Sequence, residues 1–201
     1  MRLLPSKNGI LPERIPNVYE VHEFRHALTV LRYVFPNEYY DILGMLASFS
    51  LKKSDIATAG GRKSPISGYL DNYLYEKGWV EKMFSTKIVT DGIEHDTPTH
   101  KIDCYKNRIA LDIEWNNKDP FFDRDLNNYR ILYDREAISV AVIVTRCSEL
   151  QSIFDGLGKG SSYGASTTHM SKLLPRIEGG SGGGCPILVF GISDRLYDPN
   201  A

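Results

Sequence analysis

The stretch HKIDCYKNRIALDIEW, residues 100–115, decides the fold. Ile109, Leu111, Ile113 and Trp115 alternate with Ala110, Asp112 and Glu114, which is the period of a β-strand. A shorter strand over 103–106 precedes it, and Lys106-Asn107 supplies the turn residues of a hairpin. Asp112 and Glu114 stand two apart, so both carboxylates emerge from one face while the apolar positions take the core. Asp103 lies nine residues before Asp112, and the hairpin brings all three acids together. Clustered carboxylates repel, and a cation relieves them; hard oxygen ligands of this type suit Mg²⁺. Alternating acids and apolar residues also describe a plain amphipathic strand with one solvated face.

Outward from the hairpin, ISVAVIVT (138–145) is too uniformly apolar for a solvent-facing strand and predicts a central one. CPILVFGI (185–192) predicts a last buried strand, and MFSTKIVTDG a strand turning at Asp91-Gly92. Helical recurrence is expected over 17–34, 38–51, 64–78 and 123–134, with shorter helices at 148–154 and 166–174. Helices first, a hairpin-fed sheet second and a late helix–strand unit make an α/β/α or α+β sandwich. The expectation is one domain, with a helical part 17–78 and a catalytic and recognition part 79–192. Residues 156–184 hold nine of the 17 glycines, which suits either a long surface loop or a segment lying close against a ligand.

The 201 residues carry 24 Lys+Arg against 25 Asp+Glu, a formal charge of −1. That balance gives no global positive field for holding DNA, so any nucleic-acid function must come from local patches. Between 101 and 135, seven bases and seven acids cancel in the sum without having to cancel in space. From 159 to 185 the only acid is Glu178, against Lys159, Lys172 and Arg176. Lys52, Lys53, Arg62 and Lys63 form a second basic segment. No apolar run is long enough to span a membrane. The N-terminal stretch is interrupted at Pro5, Gly9, Pro12 and Pro16, so no signal peptide is expected. Three widely spaced cysteines without a CxxC pair fit a reducing cytoplasm. His22-Glu23-Phe24-Arg25-His26 matches H-E-x-x-H on an expected helix, but no third zinc ligand of suitable spacing follows, and a solvated helix face explains it.

The block DCYKNRIALDIEW (103–115) resembles the active-site strands of type II restriction endonucleases of the BglII/BstYI group, within the PD-(D/E)XK nuclease superfamily. The similarity extends to SPISGYLDNYLYEKGW (64–79), VAVIVTRCSEL (140–150), GKGSSYG (158–164) and PILVFGI (186–192). The resemblance implies an α/β restriction-endonuclease-like fold, a mixed sheet flanked by helices, in homodimers that clasp palindromic double-stranded DNA. It implies Asp103 as the first metal-binding acid and Asp112 as the second, a Glu in close relatives. The backbone carbonyl of Ile113 is a further implied Mg²⁺ ligand. Glu114 falls on the third catalytic position, a Gln in that group and a Lys in most of the superfamily. Asn116–Asp125 is a longer segment than its relatives have.

Phosphate contacts fix register while base edges carry sequence. Candidates for DNA contact are Lys118, Lys159, Ser161, Ser162, Tyr163, Ser166, Thr167, Thr168, His169, Lys172 and Arg176, with Lys52, Lys53, Arg62 and Lys63 reaching phosphates from the other side. Ser166–Ser171 equally suits an ordinary helix start. The subunit contact falls on 17–49 or 123–134. Two other readings are a repair or recombination nuclease of the same superfamily and a non-catalytic DNA-binding module that kept the fold.

Overall fold

The computed structural model describes residues 9–57, 63–97 and 99–201. In chain order the elements are α1 (Arg14–Val18), β1 (Tyr19–Phe24), α2 (Ala27–Val34), α3 (Pro36–Ser48), β2 (Leu51–Lys52), α4 (Lys53–Ala57), α5 (Pro65–Tyr75), β3 (Val80–Lys82), β4 (Lys87–Thr90), β5 (Ile93–Asp96), β6 (Ile102–Lys106), β7 (Ile109–Glu114), α6 (Pro120–Asp134), β8 (Val140–Arg146), α7 (Gln151–Gly156), α8 (Met170–Glu178), β9 (Ile187–Ile192) and β10 (Tyr197–Asp198).

Six strands form one mixed sheet in the order β1-β9-β8-β7-β6-β3. β7, β8 and β9 run parallel at its centre, and β6 and β1 flank them antiparallel. One face carries Ile109, Leu111, Ile113 and Trp115 together with Val142, Val144 and Phe190, packed under the N-terminal helices. The other carries Ala110, Ala141, Ile143 and Val189 against Leu126, Tyr129 and Leu132 of α6 and Leu173 of α8. The result is a mixed β-sheet flanked by helices on both faces, as expected from the sequence. Each fully buried aliphatic or aromatic side chain in these two layers contributes about 1.5–3 kcal/mol.

The β6–β7 hairpin forms, but its turn is one residue later than expected. Asn107 and Arg108 both take positive φ, 45° and 70°, and Lys106 pairs with Ile109. Asn is among the few non-glycine residues that enter this left-handed region readily, which favours that register. α5 starts as its sequence indicates, with Ser64 accepting from Ser67 N at 3.0 Å and Pro65 in the first turn. Gly78, at φ +82°, stands at the end of that segment.

The expected helix over 17–34 is instead a short helix, a strand and a second helix. Tyr19–Phe24 pairs antiparallel with β9, Tyr19 opposite Ile192 and Phe24 opposite Ile187. A fully buried β9 needs a hydrogen-bonding partner on its outer edge, and that requirement overrides the helical spacing of Val18, Val21 and Phe24. Arg25 and His26 at φ 55° and 60° then break the chain into α2. The H-E-x-x-H spacing therefore places His22 on a strand and His26 on a turn, not on one helix face. His22 Nε2 meets Glu20 Oε1 at 2.6 Å, and Glu23 accepts from Leu28 N at the start of α2. The helix expected over 166–174 begins four residues later, at Met170, because 166–168 pair with the segment after β7. β4 and β5 form a separate, fully exposed hairpin between β3 and β6. Among the described residues no helix is long and apolar enough to cross a membrane.

Candidate active site

Asp103 projects from β6 and Asp112 and Glu114 from β7, all at the face covered by α6. The hairpin locks the first two reciprocally. Asp103 N donates to Asp112 Oδ1 at 2.8 Å, and Ile113 N donates to Asp103 Oδ2 at 3.1 Å. Tyr129 of α6 donates its hydroxyl to Asp112 Oδ2. The face that alternation left to solvent is thus covered: Asp112 is 3% and Glu114 2% exposed. The amphipathic-strand alternative, with its solvated acids, does not describe this site.

Burial sets the protonation chemistry. It pushes Asp112 well above the ordinary carboxylate range, helped by the charges of Asp125 and Asp103. Asp103 is also raised by burial, against the lowering pull of Ile113 N–H, Lys63 and Arg124. Glu114 is raised by burial to about 7, even though Asn117 Nδ2 donates to Oε2 at 2.8 Å and Arg124 Nη2 approaches Oε1 at 3.5 Å. Asp125 of α6 stands at hydrogen-bonding separation from Glu114 and is raised to about 8, by burial first and by the Glu114 charge second. Its Oδ1 accepts from Arg124, while no N–H or hydroxyl of the described residues reaches its buried Oδ2.

Asp125, Tyr129, Asn117 and Asp71 are the site residues that the sequence reading missed. Asp71 of α5 is buried, pairs with Lys63, and accepts from the Cys104 thiol at 3.5 Å. Tyr75, one turn on, donates to the Asp103 carbonyl at 3.1 Å. A signal existed for one of them. Phe122, Asp125, Leu126, Tyr129 and Leu132 form the buried stripe of α6, and an acid on an apolar stripe needs a reason.

The donor set is made of hard oxygen atoms, and the Asp125 Oδ2 that no donor reaches lies in one cluster with Asp103, Asp112 and Glu114. Both features fit a divalent cation better than they fit an apo core. Among the described residues, however, the single group of three such side chains whose ligand atoms lie within 4.8 Å of one another is elsewhere, at Glu20, Cys147 and Glu149. At the main site both oxygens of Asp112 are engaged, one by Asp103 N–H and the other by the Tyr129 hydroxyl.

The DNA-contact candidates separate into three groups. Ser161, Ser162 and Ser166 are exposed, as is Lys118, and Lys159 and His169 are half-buried. Thr167 is half-buried and forms a bridge with Lys118, while Tyr163 and Thr168 are buried and serve as internal supports with no face for a base. Tyr163 stacks on Phe154 with ring centroids 4.0 Å apart, and Trp115 closes on both. Lys172 and Arg176 are held by Asp119 at 2.8 and 3.5 Å, and Arg176 also by Asp123 at 2.8 Å, so part of the expected local positive field is neutralised. Lys52 and Lys53 are exposed on β2 and α4, beside the C-terminal β10. Lys63 belongs to the acidic site through Asp71, not to a distant basic wrap. Arg62 lies outside the described residues.

A family model for the restriction endonuclease BglII/BglIII matches residues 19–192, from the first strand of the sheet to the last residue of β9. The chain belongs to the BglII/BglIII restriction endonuclease family. Membership supports a PD-(D/E)XK nuclease-like function acting on DNA and the observed fold, and it is consistent with use of a divalent metal. No curated protein matches the chain in sequence.

Proposed function

We propose that the chain is a type II restriction endonuclease, a cytoplasmic homodimer that hydrolyses double-stranded DNA at a short palindromic sequence with Mg²⁺. The observation that carries this reading is the reciprocal lock of Asp103 and Asp112 across the β6–β7 hairpin, inside a stretch matched to the family. Asp103, Asp112 and the Ile113 carbonyl are the residues that would hold Mg²⁺, with Asp125 Oδ2 a fourth oxygen within the cluster. When bound, the ion would polarise the phosphoryl oxygen and acidify water.

The chain's own contribution centres on Glu114. An ordinary Glu, near 4.3, is a poor base at neutral pH. Burial brings Glu114 to about 7, the range in which a carboxylate both exists ionised and holds a proton once it has taken one. Glu114 would orient the attacking water and accept its proton as the oxygen adds in line to phosphorus. The 3′-oxygen leaves with the P–O bonding pair and takes a proton from solvent water, which gives the 5′-phosphate and 3′-hydroxyl ends that the resemblance implies. Arg124, partly exposed beside Glu114, stands where it can meet a phosphate. Exposed Tyr33, Val34 and Tyr40 on α2 and α3 favour the 17–49 face for the subunit contact.

The deciding experiment is digestion of a plasmid of known sequence with Mg²⁺, followed by sequencing of the ends. Discrete fragments with one recurring terminal sequence are expected. Random ends would move the chain to a repair-type nuclease, and intact plasmid with both Mg²⁺ and Mn²⁺ would leave a non-catalytic DNA-binding module.

A further inference from the structure

The segment after β7 and the segment before α8 are sewn together more tightly than two surface loops require. Thr168 N donates to the Asn117 carbonyl at 2.8 Å, and Asn117 N donates to Thr168 Oγ1 at 3.2 Å. Lys118 and Thr167 form an antiparallel bridge, and Asp119 N donates to the Ser166 carbonyl at 3.0 Å. Asn116 Nδ2 reaches the Ser162 carbonyl at 3.1 Å. On the far side, Arg146 of β8, 1% exposed, donates to the Tyr163 carbonyl and to Thr167 Oγ1 at 2.8 and 2.9 Å. The cost of taking this guanidinium out of water is offset by those two acceptors and by the faces of Phe154 and Tyr163, 5.3 and 5.9 Å from it. Here the guanidinium pins the 163–167 backbone to the central sheet. The preceding residue, Thr145, donates to the Glu114 carbonyl at 2.8 Å.

Asn117 is where the two segments meet the chemistry. Its backbone is shared with Thr168, and its side-chain amide holds Glu114 Oε2 at 2.8 Å. Ser162 and Ser166 are exposed members of 162–168, so a load placed on them by DNA passes through the shared backbone to the donor that orients Glu114. We propose that Asn117 is a positioning residue that makes the orientation of Glu114 depend on how segment 162–168 is seated on DNA, so that sequence is read in the rate of the chemical step. This rests on the nuclease reading above. The wrong sequence binds with 162–168 imperfectly seated, the amide leaves its place, and the water at phosphorus loses its aligned acceptor.

The test uses full-length protein and compares Asn117→Ala, Thr168→Val and the double variant on the target duplex and on duplexes with one base pair changed. Single-turnover cleavage is measured with Mg²⁺, and affinity by gel shift with Ca²⁺ in its place. Asn117→Ala is expected to lose about tenfold or more in cleavage rate on the target, the usual cost of removing an outer hydrogen bond to a site ligand. Affinity should stay within about twofold, and the rate ratio between target and altered duplex should fall. Thr168→Val, near-isosteric, should lower the same ratio, and the double variant should be no worse than Asn117→Ala alone, the mark of residues acting through one path. Urea midpoints check the fold, and Thr168→Val stands in if Asn117→Ala does not fold. The proposal is overturned by additive losses, by an unchanged ratio, or by a loss confined to affinity. A wild-type chain that cuts no DNA overturns the nuclease reading as well, whereas cutting with an unchanged ratio in the variants removes only the role of Asn117.

Discussion

Replacing Asp125 with Asn isolates the electrostatic cost of the buried acid cluster. In the folded chain Asp125 holds its proton to about 8, whereas the unfolded residue releases it near 3.8. A carboxyl raised in this way stabilises the fold fully below the unfolded value and loses that contribution as pH climbs towards the folded one. Between pH 5 and pH 7 the native protein retains a proton on Asp125 that the unfolded chain has lost. Each such proton removes about 1.4 kcal/mol of stability per pH unit, so the window costs about 3 kcal/mol. Glu114, raised to about 7, adds a similar slope of its own up to that point. Asp125→Asn keeps the shape, keeps an oxygen for Arg124, and directs an amide at Glu114. Urea unfolding in EDTA at half-unit steps should show the wild type losing about 1.4 kcal/mol more per pH unit than the variant, since Asp112, Asp103 and Glu114 contribute to both slopes. By pH 7 the variant should have gained about 3 kcal/mol relative to its offset at pH 5, on the order of 6–12 °C in Tm for a chain of this size. Excess Mg²⁺ should flatten the wild-type slope, since a cation takes the place of the protons. Parallel pH curves for the two proteins would show that Asp125 is ionised in the folded state, and the reasoning would fail.

Three further outcomes are expected. Asp103→Asn and Asp112→Asn should each lower plasmid cleavage by at least about 100-fold while gel-shift affinity changes little, since an electrostatic stabiliser of about 3 kcal/mol is removed from the reaction alone; cleavage at the wild-type rate would remove either residue from the site. Tyr129→Phe deletes the hydroxyl on Asp112 Oδ2 inside a sealed face and should cost about 1–3 kcal/mol in urea unfolding. Gly191→Ala places a methyl 2.6 Å from Cys147 Sγ and 2.5 Å from the end of Met170, and should destabilise by about 1–3 kcal/mol through forced repacking of β9.

The legible parts of the fold were those in which a periodic pattern and the burial agree. β8 and β9 are buried over their whole lengths, and their near-continuous apolar content says so directly. α3, α5 and α6 carry an apolar stripe and a proline in the first turn. β1 was hidden because its pairing partner is the bare edge of a strand more than 160 residues away, which no local window contains. The acids were found because strand geometry alone puts Asp112 and Glu114 on one face. That this face is closed was not legible, since alternation is the same whether water or α6 lies above it. Asp125 was counted among the charges of 101–135, and only its position beside Phe122 and Leu126 marks it as internal. The start of α8 was misplaced because the hydroxyls at 166–168 suit a helix cap and a loop clamp equally well.

The pairing of β1 with β9 has a consequence for how the protein is made. Tyr19 cannot find Ile192 until synthesis has passed residue 192, and β9 must slide between β1 and β8, taking up an edge on each side. At 5–20 residues per second, β1 waits about 10–30 s after its own synthesis for that partner. Until then the sheet has an open seam in place of β9, and the sequence distance it must close makes this a slow step. The nascent chain therefore carries the completed hairpin of acids well before the sheet that should rigidify it. Loss of even the last fifteen residues would leave two naked strand edges facing each other, a state inclined to pair with a second unfinished chain.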